Sequence, residues 1–216
     1  MNRLSLSQEY MMCALSDKGK IPAMRFERVI ALAAAAVAEL LMEDIIELNG
    51  KKLSVKRPLP KEKEFLSLVY DYIEKKQPLN FKSAVEHYSV TFTNKNPDAL
   101  FEAVGESLIA AGCAQKGTRG IAVNKNAYIP DAGAVDNIIQ NIRAEILEDG
   151  ALTEDIAALT ALLDKTGDIM RFFSAYEKKS VKKRLKEIKE DPENKETAKV
   201  INYVEELMTV IIVAAT

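Results

Sequence analysis

The side chains that most often carry out catalysis are few in this chain of 216 residues and form no known constellation. His87 is the single histidine, and the two cysteines, Cys13 and Cys113, match no zinc-ligand or redox spacing. Acidic pairs such as Glu43 and Asp44 are adjacent on predicted helices, so their carboxylates diverge and cannot share one substrate. The sequence contains no phosphate-binding glycine loop, dinucleotide fingerprint or hydrolase nucleophile motif. It therefore predicts a non-enzymatic protein without catalytic residues, a metal site or a cofactor.

His87 and the cysteines have simple structural interpretations. A functional imidazole needs an oriented partner, and no neighbour in the sequence supplies one, so we expect His87 to be a packing or partly exposed residue. Two unpatterned cysteines are typical of a reducing compartment, where they act as small apolar side chains. The N-terminal segment has no signal-peptide pattern, and Val210 to Ala215 is too short to anchor in lipid. These features predict a cytoplasmic protein, with membrane contact limited to peripheral association.

The net charge of −2 argues against binding of nucleic acid by overall charge, so any anion-binding surface must be local. The segment Lys178 to Lys189 concentrates seven basic residues. Val181, Leu185 and Ile188 follow helical spacing on its apolar face. Two interpretations remain open: docking on anionic lipid, and a solvated amphipathic helix. We favour the second, because Glu187 offsets part of the charge.

A second basic segment lies in a predicted β-hairpin. The turn from Lys116 to Gly120 includes Arg119 and is flanked by glycines, so its tip could project into a phosphate-rich surface. An ordinary hairpin turn explains the same residues equally well. The helix from Pro97 to Ala111 that precedes this hairpin also suggests a winged-helix module for nucleic acid over residues 97–128. Aromatic residues that could stack on bases are scarce in this region, which disfavours that alternative.

The candidate residues must be positioned by the surrounding helices, and the most informative of these is an apolar one. Val29 to Met42 reads VIALAAAAVAELLM and is apolar on all sides except at Glu39. A helix that is apolar all round is either buried or spans a membrane, and this run falls short of the roughly 20 residues that a span requires. We therefore predict a central buried helix whose alanines allow close approach of its neighbours.

Periodicity and turn signals predict one mainly α domain over residues 1–216 with two β-hairpins, the first around Asn49-Gly50. Ser7 and Thr153 are the predicted N-caps of two helices, and Gly112 is a predicted C-cap. The predicted helices are Gln8 to Leu15, Met24 to Asp44, Lys61 to Lys76, Lys82 to Tyr88, Pro97 to Ala111, Ala134 to Leu147, Thr153 to Leu163, Asp168 to Glu190 with a break near Ser180, and Glu196 to Ala214.

The order of several segments resembles the Golgi phosphoprotein family, which comprises peripheral effectors of phosphatidylinositol 4-phosphate and many prokaryotic relatives. The resemblance covers nearly the whole chain. It rests on LSLSQEYMMCALSDKGKIP, on VIALAAAAVAELLMEDIIEL, on SLIAAGCAQKGTRGIAVNKNAYIPD, on the helix from Ala151 to Leu163 and on the C-terminal VEELMTVIIVAAT. It implies a central helical bundle ringed by amphipathic helices, with a protruding hairpin, and a non-enzymatic function.

Golgi members of the family bind the lipid headgroup through a tryptophan and three arginines. In this chain the tryptophan position falls on Met24, and the arginine positions fall on Ala33, Asp98 and Phe101. These residues cannot form a bidentate guanidinium site, and Asp98 would repel a phosphate. The resemblance therefore indicates a prokaryotic-type or divergent member.

Other basic residues are candidates to replace the missing arginines. Arg25 and Arg28 lie close to Met24 in the sequence, and Lys116 and Arg119 belong to the second hairpin. We therefore expect binding of anionic membrane lipid through these four residues, and the resemblance implies self-association through the hairpin.

Overall fold

Helices make up most of the molecule. The computed structural model describes residues 3–89, 94–118, 126–148 and 152–215, and this part of the chain contains ten α-helices and five short strands. The elements are α1 (Leu6–Ala14), α2 (Phe26–Met42), β1 (Ile46–Asn49), β2 (Lys52–Val55), α3 (Ser67–Lys76), β3 (Leu79–Asn80), α4 (Phe81–His87), α5 (Lys95–Ala110), β4 (Ala114–Thr118), β5 (Asn126–Pro130), α6 (Ala132–Ile142), α7 (Glu154–Lys165), α8 (Ile169–Phe172), α9 (Ala175–Glu190) and α10 (Lys195–Ala215). Short 3₁₀ segments at Lys61–Leu66 and Pro192–Asn194 and a π-helical turn at Arg143–Leu147 complete the described helices. The mainly α prediction is confirmed.

Helix α2 lies at the centre of the fold, as its apolar sequence predicts. Every residue from Ile30 to Leu40 is buried, and α2 contacts α1, α4, α7 and α10. Because alanine side chains are short, the run from Ala33 to Ala36 lets the neighbouring helices approach closely. The outer helices have one apolar face, and on α9 that face consists of Val181, Leu185 and Ile188. This arrangement confirms the predicted bundle ringed by amphipathic helices.

Glu39, the only charged residue within the buried run from Ile30 to Leu40 of α2, anchors the neighbouring segments. One carboxylate oxygen accepts hydrogen bonds from the backbone N–H of Ser7 at 2.9 Å and from its hydroxyl at 2.6 Å. The other oxygen pairs with Lys63 Nζ at 2.8 Å. A buried carboxylate is costly unless it is paired and hydrogen-bonded, and both conditions are met. Glu39 therefore connects α1 and the 3₁₀ segment to α2.

Both predicted hairpins are present, and one has an additional strand. Strands β1 and β2 are antiparallel around Asn49-Gly50, and Leu53 on β2 also pairs with Leu79 on β3. Strands β4 and β5 pair with Lys116 opposite Tyr128. The tip of this second hairpin, which includes Arg119, lies outside the described residues.

Several element boundaries differ from the predicted ones. The N-cap of α1 is Ser5, which forms a reciprocal capping box with Gln8, whereas Ser7 is inside the helix and bonds Glu39. The predicted break near Ser180 is wrong: the chain breaks at Phe173, and Ser174 caps α9 through a capping box with Glu177. These caps determine the ends of the helices because they satisfy backbone N–H groups that have no partner within the helix.

Candidate functional site

A cavity of about 280 Å³ opens between the loop before α2 and the start of α5. Its wall is mixed: Phe26 on α2 and Phe101 on α5 contribute apolar surface, and Lys20 on the loop and Asp98 in the first turn of α5 contribute charges of opposite sign. Tyr88 also lines the cavity, and its hydroxyl donates to the backbone carbonyl of Leu68 at 2.5 Å. The cavity can hold a small polar group, but Asp98 makes it a poor site for a phosphate.

The structure brings together two of the four positions that the resemblance assigns to the headgroup. Asp98 and Phe101 both line the cavity. Met24 is 89% exposed on the adjoining loop, and Ala33 is buried inside α2. An arginine at position 33 would have to displace neighbours in the core, so this position cannot present a cation to a surface ligand.

The loop before α2 presents apolar and basic residues to solvent. Met24 is almost fully exposed, and Phe26 is 45% exposed. Lys18 is exposed, and Lys20 is half-buried at the cavity. We call the loop of residues 16–25 together with Phe26 the loop face. Exposed apolar residues beside lysines are the features that a surface needs to bind an anionic bilayer.

Arg25 and Arg28 have different environments. Arg28 is buried, and its guanidinium donates to the Ala14 carbonyl at 2.9 Å and to Asp168. Arg25 is partly exposed and donates to Glu27 and to the Thr166 carbonyl, and the hydrogen bond to Glu27 raises its pKa above the ordinary value. Arg28 is therefore a structural residue that cannot reach a surface ligand, while Arg25 belongs to the loop face.

The second hairpin is held against α5 by a polar cluster. Lys116 pairs with Glu106 at 2.7 Å, and the Tyr128 hydroxyl donates to the same carboxylate oxygen at 2.9 Å. The hydrogen bond from Lys116 and the one from Tyr128 lower the pKa of Glu106. Lys116 is half exposed, and the carboxylate of Glu106 offsets its charge. Its contribution to anion binding is therefore smaller than its position on a hairpin suggests.

A glycine joins the loop face to this hairpin. Gly19 has a φ of +68°, and its carbonyl accepts a hydrogen bond from the Tyr128 N–H at 2.9 Å. A Cβ at this position would lie 2.5 Å from the backbone carbonyl carbon of Tyr128 and 2.6 Å from the backbone N of Ile129. Only glycine combines this left-handed conformation with such close contact to a strand.

Gly19→Ala is expected to destabilise the fold by about 2 kcal/mol, because it adds strain at positive φ to a backbone clash. Gly50→Ala is the matched control, since Gly50 has a φ of +63° with open space around its Cα. We expect it to cost about 1 kcal/mol, from the strain alone. Urea unfolding measures both values, and amide hydrogen exchange at Tyr128 reports the lost contact. Equal destabilisation by the two variants would contradict the close contact at Gly19.

The remaining candidates from the sequence are structural or lie on surfaces. The His87 ring stacks on Tyr72 at 3.8 Å between centroids, and burial lowers its pKa, so it is a packing residue as predicted. Lysines on α9 pair with neighbouring carboxylates, for example Lys183 with Glu187 at 3.4 Å and Lys182 with Asp164 at 3.5 Å. This pairing agrees with the solvated amphipathic helix that we favoured.

Sequence reasoning missed the contribution of Lys18 and Lys20 to a basic surface. Both lie in the segment SDKGKIP, where two lysines flank Gly19 within a loop ended by Pro22. Lysines beside a glycine in a loop could have been recognised. The position of Lys20 at the same cavity as Phe26, and of Gly19 against the hairpin, depends on tertiary contacts.

No helix of the described ranges is both long enough and apolar enough to cross a membrane. In the same ranges no group of three or more histidine, cysteine or acidic side chains is arranged to hold a metal ion.

Comparisons with known proteins place the chain in a family. A search of the curated proteins found no match. The family model described as Golgi phosphoprotein 3 (GPP34) matches residues 6–206, which is nearly the whole chain. The chain therefore belongs to the Golgi phosphoprotein 3 (GPP34) family.

Proposed function

We propose that this protein is a non-enzymatic peripheral membrane protein that binds anionic lipid through the loop face. The observation that supports this function most directly is the exposure of Met24 and Phe26 beside Lys18 and Lys20. A bilayer surface can bind both kinds of side chain, because its interface accepts apolar groups and its headgroups carry negative charge. Membership of the Golgi phosphoprotein 3 family supports a function at membranes.

The residues at and near the smaller cavity favour recognition of lipid charge rather than of one specific headgroup. Ala33 is buried, and Asp98 faces the cavity in which a headgroup phosphate would lie. A carboxylate in that position repels phosphate, and the lysine side chain is a point charge without the bidentate geometry of arginine. We therefore propose that phosphatidylserine and phosphatidylinositol 4-phosphate bind in proportion to their charge.

Lys18→Glu combined with Lys20→Glu is expected to weaken binding to anionic vesicles by at least about tenfold, because each basic residue near such a surface contributes roughly a factor of five. Binding is measured by co-sedimentation with vesicles of phosphatidylcholine containing either phosphatidylserine or phosphatidylinositol 4-phosphate at equal total charge. Met24→Ser is expected to weaken binding to both vesicle types by a smaller factor, since it removes apolar contact without changing charge.

The matched control reverses the same number of charges elsewhere. Lys51→Glu combined with Lys52→Glu changes the first hairpin, which follows the C-terminal end of α2, about 25 Å from the loop face. This variant should bind like the wild-type protein. Absence of vesicle binding at low ionic strength would reject the proposal, and a preference for phosphatidylinositol 4-phosphate at equal charge would reject recognition by charge. Salt-sensitive binding to duplex DNA without vesicle binding would favour the nucleic-acid alternative.

A further inference from the structure

A second and larger cavity lies at the opposite end of α2 from the loop face. Its volume is about 690 Å³, and it is bounded by the end of α2, by β1, by the start of α7 and by α10. Cavities of roughly 300–1,000 Å³ are the usual size of binding sites for small organic molecules. The volume and position make this cavity a candidate site that is separate from the proposed membrane surface.

The wall of the cavity is mainly apolar. Leu41 and Met42 on α2, Leu48 on β1, and Val200 and Tyr203 on α10 all line it. Each of these side chains packs against the main core and is only partly buried. The remaining apolar surface of each lines the cavity. These five residues form one contiguous apolar surface, which differs from the single exposed apolar residues that are common on proteins.

The rim of the cavity is acidic. Glu47 on β1, Glu154 at the start of α7 and Glu206 on α10 contribute three carboxylates, against one amino group from Lys199. A fourth carboxylate at the rim, that of Asp44, is neutralised by Lys56, whose Nζ lies 2.6 Å from it. The excess of negative charge favours a positively charged group at the mouth of the cavity and disfavours an anion.

A buried hydroxyl provides a further polar feature. Tyr203 lines the cavity, and its hydroxyl oxygen is buried without a hydrogen-bond partner among the described residues. Such groups are uncommon, because a buried hydroxyl without a hydrogen bond loses its interaction with water. Because this hydroxyl is buried, the ring of Tyr203 is the part of the side chain that is available to a molecule in the cavity.

We propose that this cavity binds a small amphipathic organic cation. The apolar body of the ligand lies against Leu48, Val200 and Tyr203, and the cationic group lies among the rim carboxylates. This site is independent of the proposed membrane function, because it uses neither the loop face nor the second hairpin.

The test is calorimetric titration of the full chain with decyltrimethylammonium below its micelle-forming concentration. We expect saturable binding of one molecule per chain. Decanoate has a similar apolar chain with the opposite charge, and tetramethylammonium has the charge without the chain. Both are expected to bind at least about tenfold more weakly, because each lacks one of the two interactions.

Two variants separate the apolar and the charged contributions. Val200→Trp places a bulky ring in the part of the cavity where the apolar body of the ligand would lie, and should weaken binding by at least about tenfold. Glu47→Gln combined with Glu206→Gln removes two exposed rim charges, and should weaken binding about fivefold. Because the chain contains no tryptophan, the indole of V200W also gives a fluorescence signal that reports whether the variant is folded.

The control is Glu187→Gln, a change of the same type on α9, which is expected to leave binding unchanged. Equal affinity for decanoate, absence of saturable binding, or unchanged affinity in the rim variant would overturn the proposal. Retention of wild-type affinity in V200W would also overturn it, because the apolar body would then lie elsewhere.

Discussion

Replacing Asp168 with alanine is expected to destabilise the fold by about 3 to 5 kcal/mol, which is a large fraction of the stability of a domain of this size. Asp168 is fully buried and accepts hydrogen bonds from the Arg28 guanidinium and, at 3.0 Å, from the Thr166 hydroxyl. Arg25 and Arg171 each lie 3.8 Å from the same carboxylate. Removal of the carboxylate leaves the buried charge of Arg28 without its counter-ion.

The effect of Asp168→Ala is measured by urea unfolding beside Asp44→Ala. Asp44 forms an exposed ion pair with Lys56 at 2.6 Å, and its φ is +57°. Loss of the pair and backbone strain at the new alanine should together cost at most about 2 kcal/mol. A double variant, Arg28→Met with Asp168→Leu, should be more stable than Asp168→Ala, because neither buried charge remains. Similar losses in D168A and D44A would contradict the assignment of a buried ionic cluster.

The interaction of Arg28 with Asp168 shows why part of the candidate site could not be predicted. The two residues are 140 positions apart, and no local pattern links them. In the sequence Arg28 resembles Arg25, since both are basic residues at the start of a helix. The tertiary contacts of Arg28 with the Ala14 carbonyl and with Asp168 distinguish this buried arginine from the more exposed Arg25. The predicted surface role of Arg28 therefore failed for a reason of tertiary structure.

Features that depend on local spacing were predicted well. The apolar run of α2, the Asn49-Gly50 turn, the N-cap at Thr153 and the αL glycine at position 112 are all present. Local rules failed where two residues of the same type lie two positions apart and either could cap the helix, as at Ser5 and Ser7. The choice between these serines depends on Glu39, which takes the Ser7 hydroxyl as a buried donor.

Both cavities were beyond prediction for a related reason. The larger one needs Leu48 on β1 and Val200 on α10 at the same place, and the smaller one needs Lys20 beside Asp98. Each of these residues has an ordinary local context. A cavity is a property of how elements pack together, whereas periodicity describes one element at a time.

A second large effect is expected from Glu9, whose ionisation opposes folding. Glu9 is buried on α1, and its Oε2 has no hydrogen-bond partner among the described residues. The pKa of Glu9 is raised from 4.5 to about 7, chiefly by burial. Within this net shift the guanidinium of Arg3 lowers the pKa, and the nearby carboxylates of Asp155, Glu145 and Glu39 raise it. At neutral pH the folded protein therefore holds a carboxylate in an environment that favours the protonated form.

The direction of the pH dependence follows from the raised pKa. Between pH 4.5 and about 7 the folded state binds the Glu9 proton more tightly than the unfolded state, so stability decreases as pH rises through this range. The shift corresponds to about 3 kcal/mol when complete. His87 acts in the opposite direction, because burial lowers its pKa and favours the unfolded state as pH falls below about 6.5.

Comparison with Glu9→Gln isolates the contribution of Glu9, since His87 is present in both proteins. We expect E9Q to be more stable than the wild-type protein at pH 8.5, and the difference between them to shrink by about 2 to 3 kcal/mol at pH 5. Urea unfolding of both proteins at the two pH values measures this change. Because glutamine has nearly the same shape as glutamate, a pH-dependent difference reports charge rather than packing. A difference that does not change with pH would show that Glu9 titrates alike in the folded and unfolded states, and its burial would then have no energetic consequence for ionisation.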